Sequence, residues 1–145
     1  MKFTSQTDAD MEIFLGAVAR HLGRIGASAV IDLYADFEIS DPEANRLFAG
    51  MRQAARTDHD AAGGGRRRGD PWMAVPLDLT TGSGVACFAL LAHRTIGCEA
   101  VLGGKLVITT VENERIAWVD LPEPDLEDLV SGARRLGATT LSRLV

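Results

Sequence analysis

Cysteine is nearly absent from this 145-residue chain: Cys87 and Cys98 are its two, separated by ten residues in apolar surroundings. That spacing fits neither a C-x-x-C redox pair nor a paired zinc knuckle, so both are expected as buried free thiols. A metal site from Cys87, His93 and Cys98 lacks the tight paired spacing that zinc usually takes, and no metal is expected. Histidine is also scarce; His21, His59 and His93 are scattered over three elements, and no Ser-His-Asp set can be assembled. Basic charge is not in excess. Fifteen Lys and Arg stand against twenty acids, a net charge of -5, which argues against duplex nucleic acid as the main partner. No run of about 18 apolar residues occurs, so no membrane-spanning helix is expected. Asp8, Asp10 and Glu12 occupy the N-terminal stretch where a secretory leader would be apolar, which makes the cytoplasm the expected location.

What the chain does contain is patterned hydrophobicity, 46% of its residues. Met11, Phe14, Leu15, Val18, Leu22 and Ile25 recur at spacings of three and four, which predicts a helix capped by Thr7 and ended by Gly23 or Gly26. Ile31 to Ile39 alternates apolar with polar over nine residues, which predicts a strand with one dry face. Asp41 and Pro42 then open a second helix, with Leu47, Phe48, Met51 and Ala55 as its buried stripe. From Thr57 to Pro71 the Gly- and Arg-rich composition predicts a mobile loop. Met73 to Leu79 alternates again, and Pro76 marks an edge strand because it lacks a ladder donor. Gly103-Gly104 predicts a hairpin, Glu112-Asn113-Glu114 a second turn, and Leu126 to Leu136 a last amphipathic helix after Pro122 and Pro124. Trp72 and Trp118 are expected on strands, as core or interface anchors. The expected fold is a single α+β domain over residues 1–145, a mostly antiparallel sheet of four to five strands with three helices on one face.

One stretch divides the possible functions. Leu77-Asp78-Leu79-Thr80-Thr81-Gly82-Ser83-Gly84-Val85 precedes an apolar run to Ala92 whose periodicity fits a buried strand or a buried helix. The simpler reading is strand, turn, strand. On the other reading, Asp78 to Val85 resembles the glycine-rich first motif of class I methyltransferases. That resemblance implies a helix capped by Ser83 and an S-adenosylmethionine or other nucleotide-like cofactor against Gly82, Ser83 and Gly84.

Two further groups are candidates for binding. Asp32, Tyr34, Asp36 and Glu38 project from one side of the expected strand, a surface suited to a basic partner. Arg66, Arg67 and Arg68 on a glycine stem suit an anion. With no catalytic set in view, the expectation is a non-enzymatic module acting through a protein partner or self-association; a small-molecule enzyme or sensor at Gly82 to Gly84 is the alternative. A chaperone or immunity-type protein masking a basic target is also compatible with the negative charge.

Overall fold

A computed structural model describes residues 1–62 and 70–145. In chain order the described residues form β1 (Lys2–Thr4), α1 (Asp8–Arg24), β2 (Ser28–Asp32), α2 (Pro42–Ala61), β3 (Val75–Leu77) and α3 (Gly82–Leu91). β4 (Gly97–Leu102), β5 (Lys105–Thr110), β6 (Ile116–Val119), α4 (Glu123–Arg135) and β7 (Ser142–Leu144) follow. The seven strands join one open antiparallel sheet in the order β3-β2-β4-β5-β6-β1-β7. The α+β class and the antiparallel sheet hold, but seven strands and four helices replace the expected four to five and three. The difference lies mainly at the chain ends. β1 and β7 are three residues each, too short to leave a period, and they pair with one another at a sheet edge.

The helix signals translate directly into caps. Thr7 accepts from the Asp10 amide at 3.1 Å, and Asp41 accepts from Ala44 with Pro42 in the first turn. Asp10 in turn accepts the Thr140 amide and hydroxyl at 2.8 and 2.6 Å, which ties the segment before β7 to α1 and holds the Asp10 carboxyl below its usual range. Gly103 and Gly104 take φ of +58° and +80° in the β4–β5 turn, where glycine carries no steric cost. β3 is the edge strand that Pro76 implied.

Two expectations fail for physical reasons. The strand beginning near Ile31 stops at Asp32, not Ile39, because its neighbours run out: β3 pairs with Ala29 to Ile31, and β4 reaches only Asp32. Leu33 and Ile39 are still buried, but Ala35 and Phe37 are exposed, in a loop held by the Leu33 amide on the Trp72 carbonyl and by Arg52 on the Ala35 carbonyl. The apolar run after Ser83 is helix, not strand. α3 packs against α1 and α2, with Cys87, Phe88 and Leu91 buried and Val85, Ala86, Ala89 and Leu90 partly so.

The expected loop at 57–71 is also shorter at its start, since α2 continues to Ala61. Arg66, Arg67 and Arg68 lie outside the described residues. Trp72 sits in a turn before β3, not on a strand, with its indole N–H donating to the Arg52 carbonyl at 3.0 Å.

One core joins the helices to the inward positions of the sheet. Phe14 and Phe88 from α1 and α3 are buried with Phe3, Ile31, Cys98, Ala100, Ala117 and Val119 from the strands. Residues between these positions on the same strands, Glu99, Val101 and Trp118, are exposed. The helices therefore cover one face of the sheet, and among the described residues no element covers the other.

Candidate functional site

The glycine motif has the strand, turn and helix order that a cofactor loop needs, although the helix cap is Thr81 and not Ser83. Thr81 Oγ1 accepts from the Gly84 amide at 3.0 Å, and a Cβ on Gly84 would lie 1.8 Å from the Asp78 carbonyl oxygen. Glycine is required there by close approach of the turn. The Asp78 carboxylate accepts the Thr80 amide and hydroxyl at 3.0 and 2.5 Å, bonds that hold its pKa below the ordinary value. The turn thus supplies its own negative charge beside the helix N-terminus. Gly82 faces open space, at one end of a groove of about 790 Å³ between α1 and α3 that is bordered by Ile13, Gly16, Arg20, Arg24 and Val85.

The two thiols are far from this kind of chemistry. Cys87 lies on α3 and Cys98 on β4, both buried and free. Burial, before any other influence, raises both thiol pKa values, so both stay protonated and poorly nucleophilic. Among the described residues, no group of His, Cys, Asp and Glu could hold a metal ion.

A polar cleft of about 690 Å³ opens beside Asp8, at the start of α1. Its position follows from how α3 ends. Thr95 Oγ1 donates to the Leu91 carbonyl and Thr110 Oγ1 to the Ala92 carbonyl, both at 2.8 Å, which fixes the turn that carries His93 and Arg94. His93 is 2% exposed, and its Nε2 lies 3.4 Å from Asp8 Oδ1, without hydrogen-bond geometry. Arg94 pairs with Glu12 at 2.6 Å and stands 3.6 Å from Asp8, while Arg115 stands 3.5 Å from Asp8. Burial holds the His93 pKa down at about 4, with Arg94 adding to the effect and Asp8 opposing it. His93 is therefore a neutral imidazole at pH 7. This constellation left no trace in sequence spacing, because it joins α1, the α3–β4 turn and the β5–β6 turn.

The acidic row is dispersed rather than aligned. Only Asp32 belongs to β2, where its carboxylate accepts the Ala74 amide at 2.6 Å. The Tyr34 hydroxyl donates to Glu112 at 2.9 Å, and its pKa is raised to about 12, by burial first and then by that carboxylate. Asp36 is exposed on the β2–α2 loop, and Glu38 lines the polar cleft.

The bare face of the sheet is a further candidate surface. Register places Pro76, Val30, Glu99, Thr109, Trp118, Lys2 and Leu144 in one row across all seven strands. Trp118 is 49% exposed, and Val101 lies opposite Leu106, itself 44% exposed. The Lys2 ammonium rests 5.4 Å from the Trp118 ring centre, a cation–π distance. Beside them a depression of about 850 Å³ runs past Met1, Arg143 and Leu144 to the β7 edge. Ile116 to Val119 is apolar throughout, so the sequence does not say which of its residues face the helices and which face away.

Comparison with protein families, with curated proteins and with solved structures found no match.

Proposed function

We propose that the chain is a non-enzymatic interaction module of the cytoplasm, working through the bare face of its sheet, with a second copy of itself as the occupant. The observation that carries this reading is Trp118, the largest side chain on the sheet, standing half-exposed on the face that also exposes Val101 and Leu106. Folding gains little from an indole on a wet face, whereas interfaces are enriched in such anchors. Lys2 and Glu99 put both signs of charge in the same row, so two copies related by a twofold axis can place each ammonium near the other carboxylate. Two buried free thiols fit a reducing compartment. Size-exclusion chromatography with light scattering across a concentration series tests the reading. A dimer that Trp118→Asp converts to monomer is expected; a wild-type monomer at the highest concentration removes it.

A second reading, a small-molecule sensor or enzyme holding S-adenosylmethionine or a related nucleotide, draws on the groove at Gly82 and its two arginines. A ligand at 100 times its Kd adds about 2.7 kcal/mol of stability. Thermal shifts with S-adenosylmethionine, ATP and NAD would reveal that gain, and flat melting curves with all three would leave the groove without a role.

A further inference from the structure

Lys2 and Glu99 stand three strands apart in the row that crosses the sheet, with Trp118 of β6 and Thr109 of β5 between them. Neighbouring strands lie about 4.8 Å apart, so roughly 14 Å separates the two residues, too far for an ion pair within one chain. The Lys2 ammonium lies over the Trp118 ring, and among the described residues neither Lys2 nor Glu99 has an ion-pair partner. Their opposite charges can meet only between two copies.

That requirement selects one way of stacking the copies. Stacked sheets lie about 10 Å apart with their strands within about 30° of one another. A twofold axis between two such sheets runs either across the strands or along them. Run across, it sets each strand on its own copy, and Lys2 on β1 never meets Glu99 on β4. Run along the strands, it reverses their order, and one position alone puts Lys2 over Glu99.

We infer that two copies pack face to face about a twofold axis that runs along the strands between β5 and β6, an arrangement that rests on the reading of the sheet face as the interface. Each Lys2 then faces the partner's Glu99, so both charges of the row are matched twice over. Trp118 lies on the partner's half-buried Thr109, and the two indoles stand side by side across the axis, where aromatic rings stack favourably. Further out, Leu144 meets the partner's Val30. Two residues along β5 and β6, Val111 and Ile116 are joined by the Val111 amide on the Ile116 carbonyl at 3.2 Å, and they meet their partner counterparts in the same crossed way. The edge strand β3 stays outside the overlap.

Sedimentation equilibrium of charge-reversed variants of the full chain tests the arrangement. Lys2→Glu alone and Glu99→Lys alone set like charges opposite one another, and each should weaken the dimer by about tenfold or more. Mixed in equal amounts, the two variants supply both complementary pairs across one interface, and the heterodimer should return to within about threefold of the wild-type Kd. The chain that carries both reversals should recover likewise. General repulsion between acidic chains predicts the opposite for Glu99→Lys, which reduces the net charge of -5 and would tighten association. The inference is overturned if either single variant dimerises as well as the wild type, or if neither the mixture nor the double reversal recovers. With Trp118→Asp still abolishing the wild-type dimer, those outcomes would leave the sheet face as the interface and remove only the register. A wild type that stays monomeric removes both.

Discussion

On β4 and β6 the side chains turned toward the helices are Cys98, Ala100, Ala117 and Val119, all small and buried, whereas those turned away include Glu99, Val101 and Trp118. On these two strands the covered face uses small residues, and Phe14, Phe88 and Leu126 of α1, α3 and α4 are buried in the same core. On the same two strands the bare face carries the larger groups, and among the described residues no element covers them. Bulk on the covered side is explained by stability; bulk on the bare side is left to association.

That contrast can be broken most forcefully from the covered side. Phe14→Ala removes a ring that is fully buried and 4.9 Å from Phe3, and should cost about 3–5 kcal/mol in urea unfolding. A loss under 1 kcal/mol would mean that the covered face is not the stabilising one. Acid should act next. His93 is held near pKa 4 in the fold against an ordinary value of about 6.5, so it stays neutral while the unfolded chain takes up a proton. Its contribution is fully present above about pH 6.5 and is lost as pH falls toward 4, by up to about 3 kcal/mol. The stability difference between wild type and His93→Gln, followed by denaturation from pH 7 to pH 4, should shrink in that window. A difference that stays constant would show that the ring is not held neutral.

A glycine pair sharpens the comparison on a finer scale. Gly84→Ala forces a Cβ against the Asp78 carbonyl and should cost about 1–3 kcal/mol, whereas Gly82→Ala, with nothing within 4 Å, should stay within about 0.5 kcal/mol. Equal costs would contradict the account of the turn. The smallest effect on monomer stability belongs to the bare face: Trp118→Ser, measured in dilute solution, should change unfolding by less than about 0.5 kcal/mol. A large loss would turn Trp118 into a structural residue.

Long periodic elements were legible in the sequence because repeated spacing reports a face. α1, α2, α4, the Gly103-Gly104 turn and the edge position of β3 all follow from residues that could be named in advance. Three things were not. β1 and β7 have too few residues for a period, and their pairing spans the whole chain. α3 carries no polar face, so helix and strand leave the same letters, and only its packing against α1 and α2 decides. β2 keeps its alternation beyond the point where partner strands end, which shows that alternation reports propensity and not pairing. The cleft was invisible for a related reason: Asp8, Glu38, His93 and Arg115 are far apart in sequence and meet only when α1, the β2–α2 loop and two turns are assembled.

Sedimentation equilibrium of the wild type beside Trp118→Asp tests the role of the bare face most directly. The account predicts a wild-type mass approaching twice 15.5 kDa as concentration rises, and a variant that stays at 15.5 kDa while remaining folded. A wild type that holds the monomer mass throughout, or a variant that dimerises equally well, would contradict it.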